Sequence, residues 1–66
     1  MQTRYDLWDR YINGYDGNYG PFYDLEEAIK TAQNRVNGNR NLIAVDIVKD
    51  NNSKVLMTIR PETSRN

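Results

Sequence analysis

The chain contains neither cysteine nor histidine. The side chains that could take part in catalysis or ligand binding are therefore its carboxylates, tyrosines, lysines and arginines. Structural zinc sites are built from Cys and His, and Ser-His or Cys-His nucleophilic sites need a histidine base, so composition excludes both. Asp6 and Asp9 would project from opposite faces of a strand and could not act as a catalytic pair. The sequence therefore predicts a protein that is not an enzyme, with no metal, no cofactor and no small-molecule substrate.

Aromatic side chains are concentrated between residues 11 and 23, among three glycines and a proline. Tyrosine provides a large contact area with a polar tip and loses little conformational entropy, which is typical of recognition loops. Tyr11, Tyr15 and Tyr19 are therefore candidate protein-binding residues. The alternative stays open that two or three of these rings only cover the end of a small core, and Phe22 is the expected core member.

Basic side chains in the second half of the chain give an alternative prediction, a nucleic-acid-binding surface. Arginine and lysine contact phosphates, and tyrosine or tryptophan rings stack on bases. The formal net charge is 0, which favours protein binding over nucleic-acid binding. The candidate residues of this alternative are Arg35, Arg40, Lys49, Lys54 and Arg60.

Charge is divided unevenly along the chain. Residues 1–30 hold six acidic and three basic side chains, whereas residues 31–66 hold three acidic and six basic ones. The two halves therefore carry net charges of −3 and +3. The sequence leaves open whether these halves meet or separate in the folded chain.

The pattern of residues 24–37 predicts an amphipathic helix, and the residues at its two ends indicate where it begins and stops. Asp24 is a natural N-cap, since its carboxylate can accept from the free amides of the first turn. Arg35 suits the negative pole at the other end, and Gly38 is expected to stop the helix in a left-handed conformation. The apolar positions at helical spacing are Leu25, Ala28, Ile29, Ala32 and Val36.

Two β-rich runs, residues 42–48 and 54–59, are separated by turn-forming residues and predict a hairpin. Alternation sorts their side chains onto two faces. The face expected to take the helix holds Ile43, Val45, Ile47, Val55, Met57 and Ile59. The opposite face, called the open face below, is expected to hold Leu42, Ala44, Asp46, Val48, Leu56, Thr58 and Arg60.

A single helix covers only one face of such a sheet, so an apolar patch is expected on the open face. Leu56, Val48 and Leu42 would form it, with either Trp8 or Leu7 from the first strand. Such a patch is rarely left bare in a soluble monomer, which favours a protein partner or a second copy of the chain. The alternative stays open that polar side chains break the patch enough for water to tolerate it. Those side chains are Arg10, Asp46, Thr58 and Arg60.

The first part of the chain predicts one or two further strands. Residues 4–13 are rich in aromatic side chains, which favours a strand. The turn pairs Asn13-Gly14 and Asp16-Gly17 predict that the chain folds back, with residues 18–23 as a short second strand. The predicted fold is α+β, a three- or four-stranded antiparallel sheet with one helix packed on one face, in β(β)αββ order.

One small domain is expected over residues 1–61, followed by a flexible tail at residues 62–66. A core of this size usually contributes only about 3–5 kcal/mol, and without disulfides or zinc a homodimer is the expected support. The lack of cysteine favours the cytoplasm. No apolar run approaches the roughly 18 residues of a membrane span, so we expect a soluble protein without a membrane partner.

The succession of Gly20-Pro21-Phe22, a helix starting at Asp24 and a hairpin is similar to that of many short bacterial and phage proteins of unknown function. This resemblance implies no activity and no site residues. It is consistent with an origin in a phage or another mobile element. The sequence therefore predicts a small interaction module that binds a protein, or itself, through the open face or the tyrosine-rich segment.

Overall fold

The computed structural model describes residues 3–50 and 54–61, which form one helix and a four-stranded antiparallel sheet. The helix packs on one face of the sheet, and the strands lie in the order β2-β1-β3-β4. This confirms the α+β prediction and the β(β)αββ order, with four strands rather than three. The elements are β1 (Tyr5–Tyr11), β2 (Gly14–Phe22), α1 (Leu25–Gly38), β3 (Leu42–Lys49) and β4 (Val55–Ile59).

Helix α1 begins where the sequence predicts, directly after Asp24. Asp24 is extended at the N-cap, and its carboxylate accepts from the Glu26 amide at 3.2 Å. The end of α1 differs from the prediction. Gly38 is still helical, and the helix stops because Asn39 returns to an extended conformation with φ of −130°. The Asn39 side chain and carbonyl accept from the amides of Asn41 and Leu42, which replaces the expected left-handed glycine cap.

The core lies between α1 and the sheet. One prediction about it is wrong, because Leu42 was expected on the open face and is 1% exposed within the core. The pairing of β1 with β3 shifts register between Arg10 and Tyr11, so Tyr11 faces Leu42. A shift of this kind turns a side chain to the other face, and Ile43 is left 42% exposed. The buried cluster consists of Leu7, Ala28, Ala32, Val36, Leu42, Val45 and Ile47.

Strand β2 is longer than predicted and contains the tyrosines expected in a loop. A turn at Ile12 and Asn13 leads directly into it, so Asp16-Gly17 lies within the strand and makes no turn. Its pairing with β1 shifts register twice. Gly17 and Gly20 lie at these shifts with φ of +116° and +151°, where a residue with a side chain would be strained. The two irregularities let β2 continue through Gly20 to Phe22.

Gly20→Ala should destabilise the protein by about 2 kcal/mol, because a β-carbon would be strained at this φ and would crowd its neighbour. The added atom would stand 2.8 Å from Asp6 Oδ1 and 3.3 Å from the Tyr5 carbonyl oxygen. Gly38→Ala is the matched control, since its β-carbon meets nothing within 4 Å. It should stabilise the helix by about 0.5 kcal/mol. Equal effects of both changes in urea unfolding would contradict this account.

Two of the predicted segments fall wholly or partly beyond the described residues. The hairpin turn at residues 50–53 is described only at Asp50, whose amide donates to the Arg4 carbonyl at 2.6 Å. The predicted tail at residues 62–66 lies outside the described residues. Within residues 3–50 and 54–61, no helix has the length and apolar character needed to cross a membrane.

Candidate functional site

The open face of the sheet carries a shallow hollow with a volume of about 100 Å³, called the central hollow below. Four strands position its lining, because β1 provides Trp8, β2 provides Tyr15, β3 provides Asp46 and Val48, and β4 provides Val55. Trp8 and Tyr15 meet edge to face, with ring centroids 5.9 Å apart and planes at 86°. Both rings stay accessible, at 39% and 52% exposure. The hollow therefore presents aromatic and aliphatic walls to solvent.

Asp46 lies at the floor of the central hollow and is fully buried. Arg10 Nη2 donates to both of its carboxylate oxygens, at 2.7 and 3.0 Å. Thr58 Oγ1 donates to Oδ1 at 2.8 Å, and the Tyr15 hydroxyl donates to Oδ2. A buried carboxylate is costly unless it is paired and hydrogen-bonded, and Asp46 meets both conditions.

These contacts keep both Asp46 and Arg10 in their charged forms. Burial alone would raise the pKa of Asp46, but the hydrogen bonds from Tyr15, Arg10 and Thr58 outweigh it and leave the pKa below its usual value. The hydrogen bond to Asp46 likewise raises the pKa of Arg10. Asp46 and Arg10 therefore stay ionised together, and the negative charge beneath the hollow is neutralised by its own cation.

The same contacts hold the wall of the hollow in place. Arg10 Nη2 donates to the Tyr15 hydroxyl at 3.2 Å, and the guanidinium carbon lies 5.4 Å from the Tyr15 ring centre. Tyr15 is thus fixed at its tip by Arg10 and Asp46, and its ring packs against that of Trp8. A side chain that is already ordered loses little further entropy when a ligand binds against it. The arrangement is suited to binding an apolar group.

Strand β4 brings Val55 to the central hollow, where alternation predicted Leu56. The pairing of β3 with β4 shifts register between Ile47 and Val48, so Val48 faces Val55 directly. Val55 is therefore on the open face, and its predicted place under the helix is wrong. Leu56 is 46% exposed and does not line the hollow. Val48 lines it as predicted, although only 3% of its surface is exposed.

The predicted tyrosine candidates are divided between the two faces of the sheet. Tyr15 lines the central hollow, whereas Tyr11 packs against the core beneath α1. Tyr19 pairs with Leu7, and its ring centre lies 4.7 Å from the Arg35 guanidinium carbon and 5.8 Å from the ring centre of Phe22. Phe22 packs against the core, which confirms its predicted role. These side chains do not form one recognition loop.

The basic residues of the nucleic-acid alternative are also spread over the surface. Arg35 is paired with Asp9 beneath α1. Lys49 ends β3 and Lys54 precedes β4, at the hairpin end of the sheet. Arg40 and Arg60 lie towards the other end, and Arg60 is about 20 Å from Lys54 along β4 at roughly 3.3 Å per residue. The structure does not bring the five together into one patch.

Among residues 3–50 and 54–61, the buried charged side chains are three aspartates, and each is paired with an arginine. Asp6 is bound by Arg4, Asp9 by Arg35 and Asp46 by Arg10. The last two pairs each join the acidic half of the chain to the basic half, so the halves meet in the fold. Within the described ranges, no group of three or more acidic side chains could hold a metal ion.

Comparison of the chain with protein-family models, with curated proteins and with solved structures gave no match. The geometry of the open face is therefore the feature of this protein that bears on its function. Sequence reasoning missed Val55 and the role of Asp46 in that face. One signal was present, because Asp46 is the only polar residue between Leu42 and Val48. A carboxylate in such a run needs a cation, and Arg10 could have been sought on the neighbouring strand.

Proposed function

We propose that this protein is a non-catalytic binding module whose central hollow receives an apolar side chain from a partner protein. The observation that carries the proposal is the hollow itself, which has aromatic and aliphatic walls over a neutralised ion pair. Its volume of about 100 Å³ lies well below the range of roughly 300–1,000 Å³ typical of small-molecule pockets. One aliphatic side chain is an occupant of suitable size and chemistry.

The surroundings of the hollow support a protein interface. Interface hot spots combine aromatic or arginine side chains with a small pocket that excludes water around the anchor. Trp8, Tyr15 and Arg10 provide these groups, and Val55 adds an aliphatic rim that is 39% exposed. Partial exposure of such apolar side chains together on one face is characteristic of interaction surfaces.

The nucleic-acid alternative receives less support from the same structure. A phosphate-binding surface concentrates cations along one face or groove. Of the five candidate cations of that alternative, Arg35 is already paired with Asp9. The remaining cations of that alternative lie at opposite ends of the sheet.

Val55→Lys should weaken binding at the central hollow by at least about tenfold, because the partner's apolar side chain would meet a charge. Peptides selected from a displayed random library against the wild-type protein supply the ligands. Most should share an aliphatic residue at one position. Trp8 is the single tryptophan, so a blue shift of its fluorescence on binding would report burial at the hollow directly.

Ile12→Lys is the matched control, since Ile12 is an apolar residue with 89% exposure away from the hollow. It should leave peptide binding unchanged, and circular dichroism should show the helix signal of both variants at the wild-type level. Peptides that bind Val55→Lys as tightly as wild type, without a change in Trp8 fluorescence, would argue against the proposal. Light scattering over a concentration series shows whether the occupant is a second copy of the chain.

A further inference from the structure

The end of the sheet at which β1 stops and β3 begins carries a shallow groove with a volume of about 370 Å³, called the end groove below. Two exposed isoleucines contribute to it, Ile12 from the turn after β1 and Ile43 from the start of β3. Exposed aliphatic side chains gathered in one place mark a surface that association would bury. The lining residues are Tyr11, Ile12, Asn13, Asp16, Arg40, Asn41 and Ile43.

The end groove has opposite charges on its two sides. Strand β1 lies between β2 and β3 in the sheet, so Tyr11 and Ile12 are at the centre of the groove. Asp16 belongs to β2 on one side, and Arg40 precedes β3 on the other. Within the part of the chain that the structure describes, neither side chain has an ion pair or a hydrogen bond. Both charges are therefore free to pair with a molecule that binds there.

An apolar centre between an acidic and a basic side suits a second copy of the same surface. In a two-fold dimer, if one residue contacts a second residue of the partner, the second also contacts the first. With the axis at the centre of the end groove, the β2 side of one copy faces the β3 side of the other. Asp16 of each copy then lies opposite the partner's Arg40, and Ile12 packs against the partner's apolar residues.

The charge of the whole chain also favours a second copy over other occupants. The formal net charge is 0, so two copies meet no overall repulsion, and proteins near zero net charge associate readily. A nucleic acid would be repelled by Asp16, and a purely acidic or basic peptide would match only one side of the groove. A core this small also gains from association.

We propose that the end groove is the interface of a two-fold homodimer, with two Asp16–Arg40 pairs around an apolar centre that contains Ile12. Its seven lining residues are far fewer than the roughly 20–30 on each side of a standard interface, so we expect a dissociation constant of about 0.1–1 mM. The protein is then a monomer at the micromolar concentrations of unfolding experiments. The end groove and the central hollow share no lining residue, so each copy keeps its hollow for a partner.

Sedimentation velocity of the whole protein from about 10 µM to about 2 mM should show a monomer that becomes a dimer as concentration rises. In nuclear magnetic resonance spectra, the amide signals that move with concentration should be those of residues 11–16 and 40–43. Ile12→Lys should weaken the dimer by at least about tenfold, because it places a charge in the apolar centre. Val55→Lys should leave the dimer unchanged, which separates this interface from the central hollow.

A charge exchange tests the pairing itself. Arg40→Glu places two acids opposite each other at both ends of the interface, and Asp16→Arg places two arginines there. Each variant should dimerise at least about tenfold more weakly than wild type. An equimolar mixture of the two should dimerise again, since every acid then faces an arginine. Lys30→Glu makes the same change of net charge as Arg40→Glu on an exposed residue outside the groove, and it should dimerise like wild type.

Several results would overturn the proposal. These are a monomer at about 2 mM, an Ile12→Lys variant that dimerises like wild type, and an equimolar mixture of the charge variants that stays monomeric. A dimer that is lost in Val55→Lys and kept in Ile12→Lys would place the second copy at the central hollow instead. Because Trp8 fluorescence measures peptide binding at the hollow and sedimentation measures the dimer, failure of one proposal is distinguishable from failure of the other.

Discussion

Arg35→Met should destabilise the protein by about 3 kcal/mol at neutral pH, because it leaves a buried carboxylate without its cation. Both oxygens of Asp9 accept from Arg35, one of them from Nε at 3.2 Å, and the carboxylate side chain is 3% exposed. Arg35 lies in the last turn of α1 and Asp9 in β1, so the pair also ties the helix to the sheet. The free energy of unfolding of a domain of this size is usually only about 3–5 kcal/mol, so this loss would be a large part of it.

Urea unfolding followed by circular dichroism measures this loss, and a second substitution identifies its cause. Asp9→Asn removes the buried charge, so the double variant with Arg35→Met should be more stable than Arg35→Met alone. Arg40→Met removes an exposed arginine from the loop after α1 and should change stability by less than about 0.5 kcal/mol. If Arg35→Met proved as mild as this control, the Asp9 pair would not contribute to the fold.

The helix and the order of the elements along the chain could be predicted because their signals are local. Apolar residues at helical spacing, a carboxylate at the N-cap and alternation in the hairpin each depend on a few neighbouring residues. Asp24 and Phe22 behave as those signals indicate. The general prediction of an open face also follows directly, since one helix cannot cover both faces of a sheet.

The composition of the open face could not be predicted in the same way, because register shifts depend on pairing between distant segments. One shift moves Leu42 into the core. Another brings Val55 to the central hollow, where alternation predicts Leu56. A shift by one residue reverses the face of every side chain beyond it, so alternation alone fails there. The positions of Tyr15 and Tyr19 could not be predicted for the same reason. Register shifts at two glycines let this segment continue as a strand, and the two rings lie on opposite faces of it.

Arg10→Met should destabilise the protein by about 2 kcal/mol at neutral pH, less than the loss expected for Arg35→Met. Asp46 is fully buried, so loss of its cation is costly. Unlike Asp9, however, it retains hydroxyl donors from Thr58 and Tyr15. Urea unfolding of the two variants under the same conditions should therefore rank them in this order.

The pH dependence of this loss distinguishes an effect of charge from one of packing. In the wild-type protein the pKa of Asp46 lies below its usual value because the hydrogen bonds from Tyr15, Arg10 and Thr58 outweigh burial. The stability that this carboxylate contributes is therefore present above about pH 4 and is lost as the pH falls further. Without Arg10, burial is less well opposed, and the pKa of Asp46 should rise.

The stability difference between wild type and Arg10→Met should consequently shrink as the pH falls through the raised pKa of Asp46 in the variant and then through its lowered pKa in the wild type, because Asp46 becomes neutral in both proteins. Unfolding free energies measured from neutral to acid pH test this directly. A difference that stays constant with pH would mean that Arg10 acts through the packing of its side chain on Tyr15 alone. A converging difference would show that Arg10 stabilises the protein through its ion pair with Asp46, beneath the hollow that is proposed to bind a partner.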